Sequence, residues 1–210
     1  MKRLATLLTC LFLTALSFAE KPETETPPLI EDSFDREELG KGWTTQTGEW
    51  KIVDGALRGK EIKADKHSAA ARRVVETKDA VYQLRFRLSE GSKGFHFGFD
   101  PKRGSLDKKG HLFSVIVTPA SWRILKHVDK NRREEDPNEI LATASQTFEP
   151  GTWYSLTVVT KGTKVDAMIE GIAPLTSEHP TFGVPKPTLV FRVIGDAVDV
   201  DDITVSAIKP

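Results

Sequence analysis

Three acids in the 210-residue chain, Glu134, Asp136 and Glu139, stand in the spacing Glu-x-Asp-x-x-Glu. Two carboxylates about 5–5.5 Å apart are what retaining glycoside hydrolysis requires, one as nucleophile and one as acid/base. The neighbours argue against that use. Glu135, Pro137 and Asn138 supply no core residue, and a proline cannot donate to a central sheet ladder. With "HVDKNRR" just ahead, the stretch reads as a charged, solvated loop. The other proton-transfer candidates are His96 and His111, with Asp100 close in sequence, because imidazole titrates near working pH. A hydrogen-bonded histidine at a strand end is the ordinary alternative for each. The histidines stand at 67, 96, 111, 127 and 179 without short metal-ligand spacing, and no Gly-x-Ser-x-Gly occurs.

Binding candidates come from the polar faces of alternating segments. Arg85, Arg87 and His96 are expected on one sheet face if their two strands pair as a hairpin through Gly91–Gly94, with Arg123 and Arg192 extending it. Guanidinium forks grip hydroxyl, carboxylate or sulfate groups; the plainer alternative is that they only solvate an outer sheet. Among four tryptophans, Trp122, beside the turn at Pro119, is the best candidate for an exposed stacking platform, with core packing as the ordinary alternative. "DVDDITV" near the end changes parity between Val200 and Ile203, which predicts a bulge at Asp201-Asp202. With Asp32 or Asp35, brought near if the first and last strands are neighbours, these acids could form an oxygen cage for a structural calcium. Solvated acids at a strand end are the competing reading, and no motif demands a cofactor.

The elements that must position these residues have a period of two. "VYQLRFRL" sets Tyr82, Leu84, Phe86 and Leu88 on one face and Gln83, Arg85 and Arg87 on the other; "FHFGF" sets Phe95, Phe97 and Phe99 against His96 and Gly98. Asp54-Gly55 predicts a type I′ hairpin turn. Pro119-Ala120 and Lys161-Gly162 predict two further hairpins. About ten to twelve short strands with turns between them and no helical stripe predict an all-β, two-sheet antiparallel sandwich.

Lys2 and Arg3, the apolar run from Leu4 to Phe18 and Ala19 read as an export signal over 1–19, and residues 20–30 as a flexible Pro/Glu/Thr spacer. One domain then occupies 31–208. The only cysteine, Cys10, lies in the leader, so the exported domain must be stabilised without disulfides. Lys+Arg and Asp+Glu balance at 30 each over the whole chain. Neither a nucleic-acid partner nor a stable membrane insertion after leader removal is expected.

"DSFDREELGKGWTTQTGEWKIVDGALRG", then "GHLFSVIVTP", "FEPGTWYSLTVVTKGTKVDAMIEG" and "DAVDVDDITV" occur in an order that resembles the concanavalin A-like lectin/glucanase superfamily. Within it, they resemble the 3-keto-disaccharide-hydrolase-like group of exported bacterial domains. The resemblance covers most of 31–208 and implies a jelly roll with one concave sheet. It implies an exported (periplasmic or extracellular) protein whose partner is a glycan or oligosaccharide, bound on that sheet by Arg85, Arg87, His96, Trp122, Arg123 and Arg192. A 3-keto-disaccharide-hydrolase-like enzyme using His96, His111 and Asp100 is the alternative, and a non-catalytic envelope or adhesion module a third.

Overall fold

Alternation carried through the chain builds two antiparallel sheets. The computed structural model describes residues 22–25 and 27–209, so the expected leader lies outside the described residues. The strands are β1 (Ile30–Asp32), β2 (Trp43–Thr47), β3 (Glu49–Val53), β4 (Ala56–Lys60), β5 (Ala69–Val74), β6 (Ala80–Leu88), β7 (Ser92–Asp100) and β8 (Phe113–Thr118). They continue with β9 (Ser121–Lys126), β10 (Glu139–Ser145), β11 (Trp153–Lys161), β12 (Lys164–Ile169), β13 (Leu175–Glu178), β14 (Thr188–Gly195) and β15 (Val198–Ala207). One sheet runs β13-β12-β11-β6-β15-β4-β3 with β1 added on β15, and the other runs β10-β9-β8-β7-β14-β5-β2. The chain is an all-β jelly roll. Helical structure among the described residues is limited to two single 3₁₀ turns, Lys63–Asp65 and Pro180–Gly183.

Local turn chemistry places the hairpins. Asp54 and Gly55 both hold positive φ, 51° and 72°, as a type I′ turn demands. Thr118 pairs with Ser121 around Pro119-Ala120, and Lys161 with Lys164 around Gly162. The bulge in β15 falls between Asp201 and Thr204, with Asp202 at φ 48°. The first and last strands are neighbours, Asp32 lying opposite Ile203. Ahead of β1, Thr24 bridges Ile208 and Leu29 N–H donates to Val205 O, so this part of the segment read as a spacer runs along β15.

The expected β6–β7 hairpin does not form. β6 pairs with β11 and β15, and β7 with β8 and β14, in the opposite sheet. The link after Leu88 crosses from one layer to the other, so the two aromatic faces meet across the core instead of lying side by side. Tyr82 packs edge-on to Phe99 at 4.8 Å between centroids, and Phe86 stacks on Phe95 at 5.8 Å. Phe95, Phe97, Phe99, Phe113 and Phe191 are fully buried, each side chain contributing about 2–3 kcal/mol of transfer free energy.

Candidate functional site

The crossing decides which arginines can act together. Arg85 and Arg87 lie on the outer face of the eight-stranded sheet, whereas His96, Arg123 and Arg192 lie on the outer face of the seven-stranded one. Arg85 and Arg87 therefore do not share a surface with His96, which corrects the expectation built on a β6–β7 hairpin. Both are already engaged by acids. Arg87 Nη2 donates to Asp199 Oδ2 at 2.6 Å, and Arg58 holds the same carboxylate through Nε at 2.6 Å. Arg85 reaches Asp201 Oδ2 at 2.6 Å and Asp202 Oδ2 at 2.7 Å, and both arginines stack on Trp153.

Those contacts also redraw the expected calcium cage. The charges of Asp201 and Asp202 are answered by Arg85, and Asp35 accepts a bond from Ser33 Oγ at 2.8 Å. Among the described residues no group of three or more His, Cys, Asp or Glu is placed to hold a metal ion. The neighbour of the bulge in β1, Asp32, is committed to Arg36 Nη1 at 2.6 Å and Trp43 Nε1 at 2.9 Å.

Trp122 is not an exposed platform. It is fully buried, because it shares parity with Ile124 and faces the core opposite Val117. Glu134 and Glu135 lie exposed in the loop between β9 and β10, and Asp136 pairs with Lys126 and Lys108. The Glu-x-Asp-x-x-Glu spelling thus runs through this loop to the exposed first residue of β10, Glu139, with its carboxylates spent on structure or solvated.

On the seven-stranded sheet, pairing and alternation assemble a polar cluster. Arg192 on β14 lies opposite His96 on β7, and Ile116 on β8 separates His96 from Arg123 on β9. One row along, Arg72 on β5 lies opposite Val190, which lies opposite Gly98, itself opposite Ser114. Gly98 lets its neighbours approach closely in this surface; a Cβ there would meet Ser114 Oγ at 2.7 Å and Val190 O at 3.3 Å.

His111, just before β8, links two edges of the cluster. Its Nδ1 is hydrogen-bonded to Asp100 Oδ1, and Arg192 Nη2 lies 3.0 Å from its Nε2. A guanidinium can only donate, so Nε2 is the acceptor and Nδ1 carries the proton shared with Asp100. Arg72 Nε stands 3.5 Å from the other oxygen of Asp100. Farther along, Ser114 Oγ lies 2.7 Å from His127 Nε2, and the rings of His111 and His127 meet edge to face at 5.4 Å.

Burial and neighbouring cations keep two of these imidazoles neutral. His96 is pushed down to about 4, first by desolvation and then by Arg192 and Arg123. His127 is pushed down to about 3, again first by desolvation, with Arg192 and Lys108 among the neighbouring charges that add to it. The cluster is incompletely satisfied: Arg72 Nε, His96 Nδ1, Arg123 Nε and Arg192 Nε are buried with no hydrogen-bond partner. Each such group costs about 1–3 kcal/mol.

Two loops wall one end. The β7–β8 connection and the β9–β10 loop are joined by Lys109 N–H to Asp129 Oδ1 at 3.1 Å and Lys130 N–H to Lys109 O at 2.9 Å. The Asp129 carboxyl is lowered to about 2, foremost by the backbone N–H groups of Asn131 and Lys109. Between these loops and the sheet opens a cleft of about 510 Å³, floored by Arg72, Asp100, His111 and Arg192. A larger hollow, about 720 Å³, lies on the other sheet beside Arg58, Arg87 and Asp199. There the two guanidiniums already share one carboxylate, so it is the smaller cleft that offers unspent hydrogen-bonding groups.

Of the residues picked from sequence, His96, His111, Asp100, Arg123 and Arg192 come together here. Arg72, Ser114 and His127 complete the group and were not singled out. The outward parity of Ser114, between core-facing Phe113 and Val115, was readable; its meeting with His127 needed the β8–β9 register.

Residues 30–205 match the 3-keto-alpha-glucoside-1,2-lyase-like domain. No curated protein matches the sequence. The fold is shared with the carbohydrate-binding module CBM66 of Bacillus subtilis, with a TM-score of 0.64 and 12% identity over 81% of this chain and 98% of that one. It is shared with the laminarinase of Rhodothermus marinus, at 0.67 and 12% over 90% and 99%. A third neighbour is a crystal structure from Parabacteroides distasonis described as a putative glycosyl hydrolase, at 0.55 and 13% over 84% and 92%. Identities this low carry the fold alone. No helix among the described residues is long and apolar enough to cross a membrane.

Proposed function

We propose that this chain, which belongs to the 3-keto-alpha-glucoside-1,2-lyase-like family, binds a carbohydrate on the outer face of its seven-stranded sheet, beside His96, His111 and Arg192. One observation carries the reading: four buried nitrogens on that face, on Arg72, His96, Arg123 and Arg192, make no hydrogen bond, and the only acid within ion-pair reach of them among the described residues is Asp100, 3.5 Å from Arg72 Nε. Buried polar groups are nearly always satisfied, and a ligand that presents oxygen would satisfy these. A sugar hydroxyl both donates and accepts. The arginines supply donors, and the neutral imidazole of His96 supplies an acceptor or a donor according to its tautomer. Export through residues 1–19 belongs to the same proposal and would place the domain where free glycans occur.

The test is calorimetric titration of the protein with oligosaccharides chosen from a glycan array. Arg192→Ala and His96→Ala are each expected to weaken binding by at least about tenfold, the loss of one charge-assisted or buried hydrogen bond. Arg87→Ala, on the other sheet, should leave it unchanged. Absence of binding to any glycan, or equal loss from Arg87→Ala, would remove the proposal.

A second reading is favoured by the position of His96 between Arg192 and Arg123. A 1,2-elimination from a 3-keto-glucoside removes the proton at C2, made acidic by the adjacent ketone, and breaks the C1–O bond, the departing oxygen taking up a proton. A neutral imidazole can accept the C2 proton, and guanidiniums can stabilise the enolate oxygen. Those same cations disfavour protonated His96, which makes it a better hydrogen-bond acceptor than base. Incubation with a 3-keto-α-glucoside, followed by the ultraviolet absorbance of the enone product, separates the two readings.

A further inference from the structure

The chain as a whole is neutral, yet its charges are sorted between the two faces. On the eight-stranded sheet each central arginine has an acid: Arg58 and Arg87 share Asp199, and Arg85 has Asp201 and Asp202. Around the cleft on the other sheet stand seven Lys or Arg side chains and one acid, Asp100. Lys108 is linked to Asp136, and Arg72 has Asp100 at 3.5 Å, an oxygen pair already shared with His111. Among the described residues, Lys102, Arg103, Lys109, Lys130 and Arg192 have no carboxylate within ion-pair reach. A cleft lined by one sign of charge concentrates ligands of the other.

Solvated surface lysines would account for Lys102 and Arg103, which sit exposed in the loop. They do not account for Arg72 and Arg192. Both are only partly exposed, both have a buried Nε that makes no hydrogen bond, with Asp100 at 3.5 Å from that of Arg72, and desolvation lowers the pKa of Arg192. Holding a guanidinium in that state is costly unless an anion arrives to share it. Arg72 lies opposite Val190, two residues from Arg192 on β14 and on the same face. Such diagonal positions are about 7–8 Å apart, within the span of one acidic group taken by two guanidinium forks.

Resting on the carbohydrate-binding reading above, we infer that the ligand is an anionic saccharide, carboxylated or sulfated, whose acidic group is taken between Arg72 and Arg192 while the rest of its chain runs past Lys102, Arg103 and Lys109. The two oxyanions share the recognising chemistry. A planar carboxylate matches one fork edge-on, whereas a sulfate has three oxygens to distribute over both.

The experiment compares three oligosaccharides of matched length against the full exported domain: a neutral β-glucan, an oligogalacturonate and a sulfated galactan. Binding is measured at low and at high salt. At least one acidic probe is expected to bind about tenfold or more tighter than the neutral one, with affinity falling as salt rises. Arg72→Gln with Arg192→Gln should bring the acidic probe down to the neutral level. Because those residues are partly buried, the exposed pair Lys102→Gln and Arg103→Gln serves as a second variant. It should flatten the salt dependence without altering the melting temperature. Neutral glucan binding as tightly as the acidic probes overturns the inference and leaves the carbohydrate reading standing. Binding of none of the three overturns both. Inorganic polyphosphate binding as tightly as the acidic sugars overturns it too, since the cleft would then be a surface for any polyanion.

Discussion

Lowering the pH from about 7.5 to about 5 should weaken this fold through two histidines of the candidate site. His96 and His127 are pushed down from 6.5, to about 4 and about 3, by burial foremost and then by neighbouring cations. Below 6.5 the unfolded chain takes up protons that the folded chain refuses. Stability therefore falls as the pH drops past 6.5, and the loss stops growing only near the folded values. At about pH 5 each histidine costs about 2 kcal/mol, from 1.5 pH units at about 1.36 kcal/mol per unit. The pair costs about 4 kcal/mol, a large part of the 5–15 kcal/mol typical of a domain. Urea unfolding of the wild type and of a His96→Asn/His127→Asn variant at both pH values measures it. Asparagine does not titrate, and the carboxylates common to both proteins cancel in the comparison. The wild type should lose about 4 kcal/mol more than the variant over this interval, and His96→Asn alone should remove about half of that difference. Equal losses in all three proteins would refute the argument that these imidazoles are held neutral.

On the opposite sheet, Asp199→Ala should lower stability by about 2–3 kcal/mol by stranding Arg58 and Arg87, less than for a fully buried pair because both guanidiniums are partly exposed; chemical denaturation checks it. Glu134→Gln should leave glycan binding and any lyase activity unchanged, because Glu134 is an exposed loop residue; loss of either would return the Glu-x-Asp-x-x-Glu acids to candidacy. Chelator should leave the melting temperature unchanged, since Arg85 already answers Asp201 and Asp202; a fall reversed by added calcium would point to a metal held elsewhere.

The polar cluster explains why sequence reading found part of the site. Arg123 and Arg192 were recognisable because each interrupts an apolar alternation, as His96 does between Phe95 and Phe97. Trp122 is equally legible: its parity with Ile124 directs it inward, so the core alternative holds over the exposure that the nearby proline turn suggests. Arg72 sits in "AAARRV", where alanine contributes little contrast between faces. Ser114 and His127 have nothing in sequence to connect them, because their 2.7 Å contact depends on how β9 is set against β8.

By itself the sequence determined the all-β class, the type I′ turn at Asp54-Gly55, the hairpin at Pro119-Ala120, the bulge in β15 and the apolar faces of β6 and β7. These depend on local φ preference and side-chain alternation, which act within a few residues. Only the tertiary structure decided that β6 and β7 belong to different sheets. Alternation states that a side chain points toward the core, and that condition is met equally from above or below it. That one choice moved Arg85 and Arg87 away from His96 and gave His96, His111 and Arg192 a common surface.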